Sequence, residues 1–259
     1  MIKFIALPVI GFLIGLLIIS LGGGGGIFYV GILTAFFNVP PAIAASTSLA
    51  TIIPTTAAGT FSHWKAGNVN FRLGLMMLGG GVIGAVAGSL CSNLLPQSLY
   101  NKFTGILLLF LSVQMLASYL KKKKGQAENA KKLNGGKQTS GIVKAIVFGL
   151  LGGAMSGLIG LSGSSPIIVG LAVLGCGALE TVGTSVLVLV GISVTGFAMH
   201  LGLGSVDWKL VGLLLLGTVS GALVAPVLLK RMDKRKMEKV LQPILIIMVA
   251  VMGILLLFK

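Results

Sequence analysis

Residues 18–30 read IISLGGGGGIFYV, and residues 155–167 read MSGLIGLSGSSPI. In the first stretch, five consecutive glycines from Gly22 to Gly26 interrupt an apolar run. Such a run cannot continue a stable helix, because each glycine costs about 1 kcal/mol relative to alanine. The second stretch lies 137 residues further on (Gly160 against Gly23) and is interrupted from Gly160 to Ser165. The sequence therefore predicts two equivalent helix breaks.

The breaks belong to a longer internal repeat at the same spacing. Apolar sequences align easily by chance, so the informative matches are glycine, histidine and the Thr-Ser pair. These matches are Gly15, Gly23 and Gly26 with Gly152, Gly160 and Gly163, Thr47-Ser48 with Thr184-Ser185, and His63 with His200. The chain is predicted to be two related units, 1–120 and 142–259, joined by a basic linker at 121–141.

The composition indicates a membrane protein. Hydrophobic residues make up 55% of the 259 residues, charged residues only 10%, and the mean hydropathy is +1.04. A soluble chain of this length needs more charge to cover its surface. Its apolar runs approach the roughly 20 residues that cross a hydrocarbon core as a helix. Because the first run continues into glycines rather than an A-x-A-like site, no cleavable signal peptide is predicted.

Each unit has the same predicted layout, which makes the fold all-α and polytopic. A first helix (4–21; 142–159) meets the break, and a stretch too short to span follows (27–38; 166–177). Three spanning helices complete each unit, at 42–61, 71–94 and 99–120, and at 178–199, 208–230 and 239–258. Each repeat is thus a Gly-broken helical hairpin plus three spanning helices.

The net charge of +15 is concentrated in two segments next to apolar spans. Seven basic residues lie in 121–137 and six in 230–239, out of 20 in the chain. This pattern is typical of cytoplasmic loops rather than of a nucleic-acid surface. Four full crossings per half would place the two segments on opposite sides of the membrane. If each hairpin enters and leaves on one side, both segments are cytoplasmic, which predicts inverted repeats with both termini outside.

The paired breaks are the candidate binding site. Non-helical backbone in lipid is tolerated only where protein or a water-filled cavity satisfies it, and paired interruptions mark the midplane site of transporters. The short helices that follow offer free N–H groups and positive dipole ends to an anion. The predicted substrate-binding residues are Gly22, Gly23, Gly24, Gly25, Gly26, Thr47, Ser48, Ser162, Gly163, Ser164, Ser165, Thr184 and Ser185.

Each of these assignments has a structural alternative. The glycines could simply permit close helix packing, which is the interpretation adopted for Gly80, Gly84, Gly88, Gly217 and Gly221. The hydroxyls could instead bond their own helix backbone.

Three titratable residues are candidates for coupling or gating. Glu180 is the only carboxylate within an apolar stretch, although a carboxylate in a first helical turn also complements the dipole. His63 and His200 end equivalent helices, where they could exchange protons in two vestibules or serve as interfacial residues. Inverted halves would put them at opposite membrane faces. Cys91 and Cys176 have no spacing typical of a disulfide or metal site, and no metal or cofactor is predicted.

The ordered motifs resemble the TauE/SafE family of sulfite and organosulfonate exporters. They are the Gly-rich break, Ala45-Ser46-Thr47-Ser48-Leu49 and His63-x-x-x-Gly67-x-Val69, then Gly183-Thr184-Ser185 and His200-x-x-x-Gly204-x-Val206-Asp207. The resemblance implies secondary transport of small sulfur-containing anions, such as sulfite or sulfoacetate, across the plasma membrane of a prokaryote. It leaves proton and sodium coupling, the direction of transport and the oligomeric state open. The second break departs from the pattern in being Ser-rich.

Other function classes fit the sequence less well. Gly160-Leu161-Ser162-Gly163 spells the G-x-S-G pattern of rhomboid intramembrane proteases, which need a paired serine and histidine. Because Ser162 corresponds to Gly25, the match is interpreted as a product of the duplicated break, and no enzyme is expected. A passive anion channel remains the alternative. The expected partners are a small anion and the lipid bilayer, without nucleic acid.

Overall fold

The computed structural model describes residues 2–21, 23–94, 96–123, 138–201 and 206–231, with helical residues at 243, 246–247, 249–251, 253–255 and 257 and a turn at 258. Every regular element in this described part is a helix. The main helices of the described residues are α1 (Ile2–Leu21), α2 (Gly26–Ala35), α3 (Pro41–Lys65), α4 (Phe71–Asn93), α5 (Gln97–Lys123), α6 (Gln138–Ile159), α7 (Ser164–Val173), α8 (Ala178–Leu201) and α9 (Trp208–Arg231).

Four helices of the described residues are long and apolar enough to cross a membrane, and shorter apolar helices accompany them. The four are Ala42–Lys65, Phe71–Ser92, Gly141–Ile159 and Leu179–Leu201. Large apolar side chains cover the outside of the bundle, among them Ile83, Phe110 and Leu216, which are 61%, 61% and 71% exposed. An outer surface of this kind suits lipid rather than water. The all-α membrane fold expected from the sequence is confirmed.

The predicted segments agree with the helices to within a few residues, with two differences. Helix α5 runs to Lys123 and α6 begins at Gln138, so both ends of the predicted linker 121–141 are helical. The middle of the linker and much of the last predicted span lie outside the described residues.

The second unit begins with the predicted hairpin. Gly141 at the start of α6 lies beside Leu174, just after α7, and Gly152 further along α6 packs against Ile167 of α7. The two helices therefore run in opposite directions, and α7 returns toward the end from which α6 started. The turn between them is the break at Gly160 to Gly163.

Two pairs of parallel helices join the units. Helix α4 packs along α6, and α9 packs along α1, each through glycines that touch partner backbone. A methyl group at any of these positions would collide with a partner carbonyl or amide. The glycines that were predicted to serve packing all do so: Gly80, Gly84 and Gly88 against α6, and Gly217 and Gly221 against α1.

Helices α3 and α8, which are equivalent in the repeat, cross the centre in opposite directions. Leu49 near the start of α3 contacts Gly196 near the end of α8. His63 near the end of α3 contacts Gly183 near the start of α8. Both breaks pack on α3, with Gly24 beside Ile52 and Gly160 beside Ala45.

Candidate functional site

The two breaks lie directly against each other. A Cβ atom on Gly24 would lie 2.7 Å from the Cβ of Ser162, and one on Gly26 would lie 2.6 Å from the carbonyl oxygen of Gly160. Gly24 to Gly26 and Gly160 to Ser164 are buried, whereas Gly23 is half-buried. Gly22, also predicted for the site, lies outside the described residues. Two segments separated by more than a hundred residues thus form one contiguous patch of backbone.

Each break ends in the start of a short helix, and left-handed backbone makes the turn. Gly25 precedes α2 with φ 79°, and Gly163 precedes α7 with φ 60°. As glycines, neither residue supplies a side-chain cap to the N–H groups of the first turn. Two positive helix ends therefore begin in the same buried region.

Ser162 is the unusual residue of the second break. Its φ is 62°, a left-handed conformation that non-glycine residues rarely adopt, and its repeat equivalent Gly25 has the same sign of φ. The side chain is 0% exposed, and its Oγ has no hydrogen-bond partner among the described residues. Ser164, buried, and Ser165, half-buried, follow in the first turn of α7. The break therefore holds a buried hydroxyl free to bind a ligand.

The predicted serines of α3 and α8 have different partners. Ser48 Oγ donates a hydrogen bond to the carbonyl oxygen of Gly160 at 3.0 Å, which fastens α3 to the second break. Ser185 Oγ donates to the carbonyl oxygen of Val182 at 2.9 Å within its own helix. Ser48 therefore contacts the second break directly.

The predicted threonines join the two units reciprocally. The N–H of Asn70 donates to Thr184 Oγ1 at 2.9 Å, and the N–H of Asp207 donates to Thr47 Oγ1 at 3.2 Å. Asn70 and Asp207 are equivalent in the repeat, as are the two threonines. Each bond therefore fixes the start of α4 or α9 against a helix of the other unit.

Asn70 and Asp207 are structural residues of the site that the sequence reasoning missed. Their side chains cap α4 and α9, accepting from Leu73 N and from Leu210 N at 3.1 Å each. A signal was available, because each precedes an aromatic and a basic residue at the repeat spacing, and Asn and Asp are preferred caps.

The family model for the sulfite exporter TauE/SafE matches residues 7–256. The chain belongs to the TauE/SafE family. It is 31% identical over 250 residues to the probable membrane transporter protein YdhB of Bacillus subtilis, covering 95% of this chain and 97% of YdhB. It is 27% identical to the probable membrane transporter protein YunE of the same organism, with 95% of each chain covered. An archaeal relative, the probable membrane transporter protein MJ0441 of Methanocaldococcus jannaschii, is 28% identical over 75% of this chain and 71% of its own. No solved structure matches.

The acidic candidate of this TauE/SafE transporter lies away from the breaks. Glu180, in the first turn of α8, accepts a hydrogen bond from Asn70 Nδ2 at 2.8 Å. It precedes Thr184 by one turn and therefore sits where α3 ends. Its contacts fit a helix-start carboxylate that holds a neighbouring cap.

The two histidines of the TauE/SafE chain lie at opposite ends of α8. His63 packs against Gly183, whereas His200 is 17 residues further along α8, which corresponds to about 25 Å. His200 is 2% exposed, and its Nδ1 lies 2.9 Å from the carbonyl oxygen of Gly196 and 3.4 Å from Ser89 Oγ. Ser162 is not among its hydrogen-bonding partners, so the described residues contain no Ser162–His200 bond of the kind a protease dyad needs.

No group of three or more His, Cys, Asp or Glu side chains within the described residues could hold a metal ion. What the TauE/SafE site does offer is backbone N–H groups at two helix starts and the hydroxyl of Ser162. All of these can donate hydrogen bonds, which is the chemistry of an anion site.

Proposed function

We propose that this protein is a secondary transporter of small sulfur-containing anions, namely sulfite, sulfoacetate or a related organosulfonate, in the plasma membrane of a prokaryote. One observation carries the proposal: the two equivalent breaks pack directly on each other in the buried interior, each at the start of a short helix. The family assignment supports the same class of solute.

The chemistry of the breaks suits an oxyanion with several oxygens at one end. A sulfite or sulfonate group can accept from backbone N–H groups of both helix starts and from the hydroxyl of Ser162. Residues 22–27 and 160–167 contain no lysine or arginine. An anion held by dipoles rather than by a full positive charge is released more readily, as transport requires.

The arrangement of the units supports alternating access. Equivalent helices α3 and α8 run in opposite directions, and the reciprocal threonine bonds join equivalent positions. Both features are expected of inverted repeats related by a twofold axis in the membrane plane. Rocking of one unit against the other around the breaks would then expose the anion to each side in turn.

Counterflow in proteoliposomes tests this function. Vesicles loaded with unlabelled sulfite are expected to accumulate radiolabelled sulfite from a dilute external pool and to show saturation. A passive channel would give flux without this uphill exchange. Uptake that is neither saturable nor stimulated by internal sulfite, sulfoacetate or an alkanesulfonate would overturn the proposal.

Two glycine substitutions test whether the anion passes through the breaks. Gly24→Ala puts a methyl group 2.7 Å from the Cβ of Ser162, so the two breaks must separate, and exchange is expected to fall at least tenfold. Gly79→Ala is the control, because a Cβ there meets nothing within 4 Å. Equal rates of sulfite exchange by Gly24→Ala, Gly79→Ala and the wild type would show that the anion does not bind at the breaks.

A further inference from the structure

His200 has one ring nitrogen satisfied and the other without a partner. Since a carbonyl oxygen only accepts, the 2.9 Å contact with Gly196 O requires that Nδ1 carry the hydrogen. Nε2 of the neutral ring is then a basic lone pair. It is buried and has no hydrogen-bond partner among the described residues. A basic nitrogen left open in this way can take up a proton.

Further unpartnered polar atoms lie between His200 and the breaks. Ser193, Gly196 and His200 lie on one face of α8, at helical spacings of three and four residues. Ser156 of α6 faces the middle of that row, with its Oγ 3.7 Å from the Cβ position of Gly196. The hydroxyls of Ser156 and Ser193 are both buried without partners in the described part of the chain.

Ser156 also contacts the second break. Its carbonyl oxygen accepts from the N–H of Gly160 at 2.8 Å. A row of buried polar groups therefore leads from His200 along Ser156 to Gly160. At the repeat spacing Ser156 corresponds to Ile19 and Ser89 to Pro226, neither of which carries a hydroxyl.

Few other charges face the imidazole. Helix α8 packs mainly against α3, α4, α6 and α7, and it also touches α1, whose residues 7–16 carry no charge. The facing parts of α3 (41–52) and α6 (148–159), and all of α7, contain no titratable or charged side chain. The last two turns of α4 contain only Cys91, which is exposed. These facing segments therefore place no carboxylate beside the imidazole. The nearest carboxylate along the chain is that of Asp207, which accepts from Leu210 N as the cap of α9.

We propose that His200 Nε2 binds a proton that is transported together with the anion. The protein would then be a proton-coupled carrier whose coupling site lies in the last turn of α8. This inference rests on the proposed function. Binding at Nε2 forms one N–H bond with a proton from water, and release to water on the other side reverses it. The imidazolium and the bound anion stabilise each other across the row of serines.

The direct test is the pH dependence of anion affinity in the purified full-length protein. Sulfoacetate is the probe, because its charge stays constant between about pH 6 and pH 8. Two charges on the order of 10 Å apart in a protein interior attract by enough to change affinity about tenfold. Wild-type affinity is therefore expected to fall about tenfold from pH 6 to pH 8, and that of His200→Gln less than twofold. His63→Gln, altered at the equivalent position in the other unit, should respond as the wild type does.

A second measurement does not depend on the folding of the His200 variant. The chain has two histidines, so in His63→Gln the ¹⁵N signals of histidine come from His200 alone. Without anion at pH 8, the spectrum should show the Nδ1–H form, and sulfoacetate at pH 6 should protonate Nε2. The inference would be overturned if the neutral ring without anion carried its hydrogen on Nε2, or if sulfoacetate left the ¹⁵N signals of His200 unchanged.

The outcomes separate the two proposals. If the wild type neither binds nor exchanges any sulfur anion, the transport function itself fails. If binding and counterflow occur but affinity responds to pH equally in His200→Gln and the wild type, only the coupling role of His200 fails.

Discussion

At Ser162 two unfavourable features coincide. A non-glycine residue in left-handed backbone costs about 1–2 kcal/mol, and a buried hydroxyl without a partner costs about 1–3 kcal/mol. The repeat equivalent Gly25 avoids both costs at the same turn. Strain and an unmet polar group at one residue are typical of functional positions, where a ligand supplies the missing partner. Serine at this position is therefore expected to serve binding rather than stability.

Two substitutions of Ser162 separate binding from strain. Ser162→Ala and Ser162→Gly both remove the hydroxyl, so sulfite affinity is expected to fall equally, by about tenfold. Only glycine relieves the backbone, so Ser162→Gly should be about 1 kcal/mol more stable than Ser162→Ala. Isothermal titration and thermal unfolding in detergent give the two quantities. Wild-type affinity in the alanine variant would show that the hydroxyl does not contact the anion.

At this scale the sequence predicted where the breaks occur but not which hydroxyl faces them. Runs of glycine and serine are local signals that exclude a continuous helix. The partners of Thr47 and Thr184 are set by residues of the other unit, at Asp207 and Asn70. No local pattern contains that information, because tertiary packing selects the partner.

At the scale of helices, α4 and α6 pack backbone against backbone over several turns. Gly149, Gly153 and Gly157 of α6 each touch α4 backbone, at Met77, Gly81 and Ala85. Burial of apolar side chains does not drive helix association within lipid, so close packing of small residues takes its place. This pair should therefore contribute much of the cohesion between the two units.

Alanine substitution of Gly153 tests that contribution. Its methyl group would collide with the carbonyl of Gly81, and an overpacked interior typically loses about 1–3 kcal/mol. Gly79→Ala, in open space on α4, should instead be neutral or stabilise by up to about 1 kcal/mol through helix propensity. The loss of folded protein with temperature in detergent is the measurement. Equal stability of Gly153→Ala and Gly79→Ala would contradict close packing of α4 on α6.

The sequence predicted which glycines pack but not which helices they meet. Glycines four residues apart, such as Gly80 and Gly84, identify a helix face on which another helix can pack closely, but they do not specify which helix. That α4 pairs with α6 and α9 with α1 follows from the placement of the whole chain. Helix ends were also uncertain where polar residues continue a helix, as at Lys123 and Gln138.

At the scale of the whole molecule, the two units interlock rather than lie side by side. Helix α4 of the first unit packs on α6 of the second, and α9 of the second unit packs on α1 of the first. Helices α3 and α8, one from each unit, cross each other. The repeat spacing predicted two equivalent units. It could not predict this exchange, because an internal repeat gives equivalence but not contact. Any movement of one unit must therefore slide or rotate these shared interfaces.

Arg72 and Lys209 test the orientation of the units, because they are equivalent in the repeat and both exposed. Arg72 follows the end of α3, whereas Lys209 lies near Asp207, which bonds Thr47 at the start of α3. From Thr47 to Lys65 the helix rises about 27 Å, close to the thickness of a hydrocarbon core. Inverted units therefore predict that the two side chains lie on opposite sides of the membrane. Because cytoplasmic loops are rich in basic residues, Arg72 should face the cytoplasm.

Single cysteines at these positions, in a chain with Cys91→Ser and Cys176→Ser, make the prediction measurable. An impermeant maleimide added to intact cells should label Lys209→Cys, and should label Arg72→Cys only after permeabilisation. Gly79→Cys, on the lipid-facing side of α4, should resist the reagent in both conditions. Labelling of both test positions from the same side would mean that the units are parallel. Rocking about an axis in the membrane plane would then be impossible, and the two breaks could not serve as a site shared by inverted halves.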